Sequence, residues 1–422
     1  RQGETREPGM KVLFVAPYLP SPPRFGGQRR LDGLMRGLTQ RHEVSVLAFN
    51  KLDPYAEMSL EETRRFCHHV ATVPEIDLES VGKTKRWLQA RSLISRNSYE
   101  GMLVRKRRNF QEHLHKMLSD HDYDVVQIEF AQMGAYDFAW QGRSSPLLVL
   151  DEHNIEYDLA RRSAETSESV ARRVYNAMNW RKLRVEERRV WSKCDGIVVT
   201  SPRDNDLVVD GTRRLSTAVV PNGVDVEAFQ PANGSPDPDR ILFFGAINYF
   251  PNQDGVVHFI DHTLPLILAK RPQAKLWIVG PGARKPVVDR QTESIVITGF
   301  VDDLNEHLDK AAVVVVPLRI GGGTRLKIVE AMAKAKAIVS TRIGAEGLDI
   351  VHGTHALLAD SPEEFAAHVE TLLADPGLAR RIGAAARELA VERYSWTAVV
   401  KTLEEFYIRL GREREQRASR RA

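Results

Sequence analysis

Three glycines at positions 321–323 run directly into Thr324, Arg325, Leu326 and Lys327, at the head of an apolar stretch with helical spacing. Glycine lets a backbone approach an anion closely, and a helix N-terminus offers free amide N–H groups and a partial positive charge. Cations in a first helical turn oppose the helix dipole, so Arg325 and Lys327 make local sense there if a negative group sits beside them. Together these features predict a diphosphate cradle. Gly26 and Gly27, between a strand-like and a helix-spaced run, carry a weaker form of the same signal, since a tight turn explains them equally well. His153, in DEHNIEY (151–157), follows another strand-like run. A lone histidine is commonly structural, yet one at the carboxyl end of a strand can meet a ligand. Asp151, Glu152, Glu156 and Glu129 add carboxylates suited to binding hydroxyls, with none singled out as a base.

Positioning these residues falls to a regular alternation of elements. KVLFVA (11–16), EVSVLAF (43–49), DVVQIE (124–129), LLVLD (147–151) and DGIVVT (195–200) predict buried strands, and Leu31, Leu34, Met35 and Leu38 predict a helix over 28–39. Continuous apolar strands separated by helices predict a parallel sheet covered on both faces. Turn formers crowd 221–240, a predicted linker. The alternation then resumes with strands at 241–245, 275–280, 294–299, 313–317 and 337–341 and helices over 253–269 and 324–335. Asn252 and Asp254 read as the N-cap and first-turn acid of the former helix. The expected fold is α/β, two doubly wound, Rossmann-like domains facing across a cleft, with the ligand at the carboxyl ends of their strands. Gly245 and Gly280 close two strands on that side. Expected boundaries are a tail at 1–9, an N-terminal domain at 10–220, the linker at 221–240, a C-terminal domain at 241–393, a helix at 394–411 and a basic tail at 412–422.

Composition narrows the class. With 422 residues, 42% hydrophobic and 27% charged, the chain is long enough for more than one core and is not disordered in bulk. Its apolar run AAVVVVPL (311–318) is far shorter than the ~18–20 residues of a membrane helix. Cys67 and Cys194 give neither a disulfide framework nor zinc-ligand spacing, which predicts a reducing, cytoplasmic setting. A net charge of +4 without a recognisable reading motif argues against nucleic acid. Basic residues nevertheless concentrate at 81–116, ten against Glu100 and Glu112, and at 161–193, ten against four acids. These stretches read as solvated helix faces or as a docking surface for an anionic acceptor or an acidic membrane, with the protein then peripheral at the cytoplasmic membrane face.

PSPPRFGGQRRLDGLMRGLTQRHEVSVLAF (20–49), VVPNGVDVEAF (219–229) and GGGTRLKIVEAMAKAKAIVSTRIGAEGL (321–348) together resemble bacterial glycosyltransferases of family 4, in the expected order over nearly the whole chain. The resemblance implies GT-B architecture, an N-terminal acceptor-side domain and a C-terminal donor domain whose last helix crosses back to the first. It further implies a UDP- or GDP-sugar co-substrate, a hydroxyl acceptor, anionic or lipid-linked where the basic stretches bear on it, retention of anomeric configuration, no metal, and a place in polysaccharide or glycoconjugate assembly. His153 would lie near the transferred sugar and act with Arg325 and Lys327. Donor binding would fall to Gly26, Gly27, Gly245, Gly280, Phe300, Val301, Gly322, Gly323, Thr324, Leu326 and Glu330. Glu330 matches the second carboxylate of the Glu-x7-Glu signature, which accepts donor ribose hydroxyls, and Phe300 with Val301 matches the nucleobase loop, a core aromatic being an equal reading. Two departures stand out: Gly322 occupies the place of the first signature Glu, and Ala246 and Pro251 occupy the places of an Arg and Lys pair. Arg325 and Lys327 are then the expected replacement cations. Two alternatives share these features, a nucleotide-sugar epimerase of the same fold and a non-catalytic basic membrane-binding module; only a transferase consumes an acceptor.

Overall fold

The computed structural model describes residues 9–51, 54–75, 82–99, 102, 107–140, 145–165, 170–212, 215–232, 234–321 and 325–420. The chain divides into two compact units, one of Arg1–Val220 with Val400–Ala422 and one of Pro221–Val399.

In the first unit β1 (Lys11–Ala16), α1 (Gly26–Leu38), β2 (Glu43–Lys51), α2 (Ala56–Arg64), β3 (His69–Glu75), α3 (Gly82–Ile94), α4 (Arg108–Asp120), β4 (Val125–Glu129), β5 (Leu147–Glu152), α5 (Glu156–Glu165), α6 (Val170–Trp191), β6 (Gly196–Val199), α7 (Pro202–Gly211) and β7 (Ser216–Val219) follow in order. The strands form one parallel sheet, β3-β2-β1-β4-β5-β6-β7. Its interior strands are mostly apolar because helices cover both faces, with Leu13, Val15, Val126, Leu150 and Ile197 fully or almost fully buried, while Gln127 and Glu129 of β4 and Asp151 and Glu152 of β5 are buried polar exceptions toward the carboxyl ends. The edge strands β3 and β7 were not expected from the sequence. Each pairs on one side only and needs no continuous apolar run; HVATVPE starts with an exposed histidine and STAV is half-buried throughout.

The second unit repeats the scheme with β8 (Asp237–Phe244), α8 (Phe250–His258), a π turn (Phe259–Thr263), α9 (Leu264–Lys270), β9 (Lys275–Val279), α10 (Lys285–Val288), β10 (Ile295–Gly299), α11 (Leu304–Lys310), β11 (Ala311–Val316), α12 (Leu326–Ala333), β12 (Ala337–Ser340), β13 (Leu357–Leu358), α13 (Pro362–Ala374) and α14 (Pro376–Leu389). Strand order is β10-β9-β8-β11-β12-β13, again parallel. Strand β8 begins inside the stretch expected as linker, because Asp237 pairs with Ala311 and Arg240 lies 3.7 Å from the centre of the Trp277 ring.

The final helix, α15 (Trp396–Ser419), continues through most of the expected basic tail. Glu413 sits one turn from both Arg409 and Arg417, at 4.0 and 3.5 Å, and Arg414 donates to the Pro146 carbonyl at 3.1 Å. Charge spacing and docking on the first unit therefore extend the helix beyond its apolar part.

Candidate active site

Each sheet reverses its strand order once, between β1 and β4 and between β8 and β11. Loops at such a switch point diverge and leave room for a ligand at the carboxyl ends of the strands. The described site candidates gather at these ends. Gly26 and Gly27 follow β1 and His153 follows β5; Gly245, Gly280, Phe300 and Val301 follow β8, β9 and β10, and Arg325 through Glu330 follow β11. Gly322, Gly323 and Thr324 lie outside the described residues.

In the second unit, Gly245 (φ +135°) and Gly280 (φ +140°) hold two loops backbone to backbone: a Cβ on Gly280 would fall 2.0 Å from the Gly245 carbonyl oxygen. Arg325 caps α12 in an extended conformation, is buried, and its Nη2 donates to the Ile343 carbonyl at 3.4 Å. Lys327 reaches back from α12 to the loop after β8. Its Nζ donates to Asn252 Oδ1 at 2.7 Å and lies 4.1 Å from the centre of the Phe243 ring. The Asn252 amide in turn donates to the Ala246 carbonyl at 2.7 Å. Asn252 is therefore a clamp between loop and lysine, not the expected N-cap; α8 begins earlier, at Phe250, and Asp254 is tied to Arg319 by two bonds of 2.7 and 2.9 Å.

Burial, reinforced by the neighbouring Arg325 and opposed by Glu330, pushes the Lys327 ammonium down to about 7. Two cations held this close in a sheltered place are costly unless an anion joins them. Glu330 is buried on the same helix and Leu326 is half-buried. Phe300 is 73% exposed, so the core-aromatic reading fails for it, while Val301 packs against the core of the unit.

The first unit offers a different chemistry. Helix α1 opens on Gly26 and Gly27 after an extended Phe25, without a side-chain cap and without an acid in its first turn. A Cβ on Gly27 would fall 2.1 Å from the Tyr18 hydroxyl, which is buried without a hydrogen-bond partner. Tyr18 stands edge-on to Phe25 and Phe130, with ring centres 4.9 and 6.1 Å away, and Phe130 lies 3.9 Å from the His153 ring centre. Phe130 has φ +67°, a strained backbone of the kind that collects at ligand sites.

His153 Nε2 is 2.6 Å from Glu129 Oε2, and Glu129 Oε1 accepts from Gln127 Nε2 at 2.7 Å. Arg30, 1% exposed, donates twice to Asp151 at 2.9 Å and once to the Val220 carbonyl at 2.9 Å. Glu152 accepts from the Trp191 indole at 2.7 Å. Asp151 and Glu152 are fully buried and engaged, which corrects the expectation that they bind acceptor hydroxyls. Donor atoms of Glu129, Asp151 and His153 lie within 4.8 Å of one another. Their carboxylates are committed to Arg30 and Gln127, and the guanidinium already supplies the positive charge, so the set does not fit a resident metal ion. Desolvation pushes Glu129 up to about 7 and His153 down to about 3.

Arg30, Gln127, Tyr18 and Tyr407 were not anticipated. The sequence did hold a signal for two of them: Arg30 stands four residues before Leu34 on the apolar face of α1, and Gln127 interrupts the buried strand β4.

Residues 26–228 match the family described as Glycosyltransferase Family 4, and residues 238–375 match Glycosyl transferases group 1. The same two-sheet architecture recurs in solved GT-B structures. Sucrose-phosphate synthase of Thermosynechococcus elongatus aligns with a TM-score of 0.65 and 16% identity, covering 96% of this chain and 100% of that one. The chain is a GT-B glycosyltransferase. This glycosyltransferase also aligns with Anabaena HepE in complex with UDP and glucose, with a TM-score of 0.64 and 14% identity over 94% and 98% of the two chains. In sequence it is 22% identical over 377 residues to an "uncharacterized 44.6 kDa protein in cps region" of Klebsiella pneumoniae, covering 85% of this chain and 90% of the relative. It is 23% identical over 413 residues to a GDP-mannose-dependent alpha-(1-6)-phosphatidylinositol monomannoside mannosyltransferase of Mycolicibacterium smegmatis, covering 89% and 93%.

Proposed function

We propose that this glycosyltransferase moves a sugar from a UDP- or GDP-linked donor to a hydroxyl acceptor with retention of configuration, in polysaccharide or glycoconjugate assembly. The observation that carries the reading is Lys327, a cation drawn from α12 to the loop after β8, beside Arg325. Ala246 and Pro251 leave that loop without cations of its own, and Lys327 brings one to it from the other side of the switch point. In this reading Arg325, Lys327 and the amides heading α12 meet the diphosphate charge as the leaving group departs, with Gly322, Gly323, Thr324 and Leu326 as further donor-binding residues. Glu330 accepts the ribose hydroxyls, exposed Phe300 with Val301 meets the base, and Gly245 and Gly280 keep the loops low enough for the nucleotide. Gly26 and Gly27 present α1 to the donor phosphates, and His153 acts at the transferred sugar. The enzyme stabilises the leaving group and aligns the acceptor, so no nucleophilic carboxylate and no metal are needed.

A thermal-shift screen over nucleoside diphosphates tests the donor class, because mass action raises the melting midpoint for a tight ligand even when the acceptor is unknown. His153→Ala is expected to keep wild-type nucleotide affinity and to lose sugar transfer in a product assay; full transfer by that variant would return His153 to a structural role.

The acceptor side of the proposal rests on the face of the first unit. A cavity of about 490 Å³ borders the carboxyl ends of β4 and β5, with Leu88, Met102, Leu183 and Val190 as apolar lining, Arg91, Arg189 and Lys193 as cations and Glu156, Glu186 and Glu187 as acids. Exposed Val170, Val174, Met178 and Val185 fall on one face of α6 at about 3.6 residues per turn, with Arg181 and Arg188 on that face. An apolar stripe flanked by cations suits an anionic bilayer surface and a lipid-linked acceptor at the cytoplasmic membrane face. Among the described residues no helix is long and apolar enough to cross a membrane. Sedimentation with phosphatidylglycerol vesicles is expected to retain the protein in a salt-sensitive way. The double substitution Val174→Glu, Met178→Glu should weaken retention about ten-fold while leaving nucleotide binding unchanged. Equal retention of both proteins would remove α6 from the interface.

A further inference from the structure

The hydrogen bonds behind His153 have one consistent direction. The Tyr407 hydroxyl of α15 donates to Gln127 Oε1, which turns the Gln127 amide nitrogen toward Glu129 Oε1 at 2.7 Å and, more distantly, Asp151 Oδ2 at 3.5 Å. With Oε1 so engaged, Glu129 Oε2 is left for His153 Nε2 at 2.6 Å. The Phe130 ring covers the imidazole, and Thr200 Oγ1 donates to the His153 carbonyl at 3.2 Å, so ring and backbone are both held. Nε2 is committed to protein. Nδ1 is the ring nitrogen left for a ligand.

We propose that Glu129 is the positioning residue for His153: through Nε2 it fixes the imidazole and determines whether Nδ1 presents a proton or a lone pair, with Gln127 and Tyr407 holding Glu129 in turn. This rests on the reading that His153 acts at the transferred sugar, and goes beyond it by naming the group that prepares the histidine.

The two states follow from counting protons. A protonated Glu129 donates to Nε2, and the neutral imidazole then carries its N–H at Nδ1, a donor for a sugar or phosphate oxygen. When the pair loses one proton, Glu129 becomes a carboxylate, the remaining proton sits on Nε2, and Nδ1 becomes an acceptor. The imidazole is neutral in both. The titratable and charged groups around the pair are Arg30 from α1, Asp151 from β5, Glu156 from α5, Tyr18 after β1, and Tyr407 with Glu404 from α15. Burial is the largest influence on both groups: it raises Glu129 to about 7 against the Gln127 hydrogen bond and the Arg30 charge, and lowers His153 to about 3 against the Asp151 charge, with Arg30 adding to the lowering. The donor state therefore prevails below about pH 7.

Two readouts test this on the full chain. With 15N-labelled histidine, the His153 signals, assigned by their loss in His153→Gln, are expected to show the proton passing from Nδ1 to Nε2 as pH rises through 7. Glu129→Gln, of the same shape but unable to ionise, should hold the Nδ1–H form throughout. In transfer assays at saturating donor, wild-type kcat should fall as pH rises through 7 and that of Glu129→Gln should be flat over the range, while donor KM rises alike in both as Lys327 loses its proton. Glu129→Ala should lose about ten-fold or more in kcat with donor KM within about two-fold, and Tyr407→Phe should fall between it and wild type. A tautomer change that persists in Glu129→Gln, or an undiminished kcat in Glu129→Ala, overturns the proposal. If no donor is turned over and the tautomer change still depends on Glu129, the positioning role stands and the transfer reading falls.

Discussion

Arg325→Ala and Lys327→Ala should each weaken nucleoside diphosphate binding by about 10- to 100-fold, read directly by calorimetry. A charge-assisted bond contributes about 1.5–3 kcal/mol, and each 1.4 kcal/mol is about a factor of ten. Arg107→Ala is the control, because its side chain lies over Phe49 in the first unit and is expected to leave nucleotide affinity unchanged. Lys327 adds a pH signature whose sign is fixed. In the free protein its ammonium titrates near 7; a bound diphosphate favours the charged form and raises that value. Binding at pH 8 must therefore take up close to one proton, and affinity falls as pH rises above 7. Calorimetry in buffers of different ionisation enthalpy measures the uptake, which should vanish in Lys327→Ala. Equal binding by wild type and both variants would place the diphosphate elsewhere.

Arg30→Ala is expected to carry the largest stability cost, about 3–5 kcal/mol, visible as a lowered urea midpoint. Removing one partner of a buried, bidentate pair strands the other charge, here Asp151, which is fully buried beside Glu129. The Val220 carbonyl loses its donor as well. Replacing both partners with apolar residues, as in Arg30→Met with Asp151→Leu, should recover much of the loss, because no buried charge then remains unpaired. A single variant as stable as wild type would mean that the pair contributes little.

The strands were legible because burial on both faces demands unbroken apolar runs, as in KVLFVA and VVVV. The edge strands HVATVPE and STAV were not, since half-exposed positions relax that demand. In the candidate site, the cations Arg325 and Lys327 stand out in local spacing, because a helix terminus acts on its own first turn. The Glu129–His153 contact spans 24 residues and Tyr407–Gln127 spans 280, distances at which only the fold specifies a partner. Lys327 lies between these cases. Its charge was evident, but its bond to Asn252, 75 residues away, required the loop after β8 to be in place.

The last helix has a consequence for biosynthesis. Gly196 of β6 leaves no room for a side chain beneath Phe406 and Leu410, Gly37 of α1 is similarly covered by Val400, and Tyr407 is buried among groups from β4 and β5. On the ribosome, residues 1–220 emerge long before this covering does, and nearly two hundred residues of another compact body are made in between. The amino-terminal half must wait, with an apolar flank uncovered, until that whole second body has been made and α15 follows it.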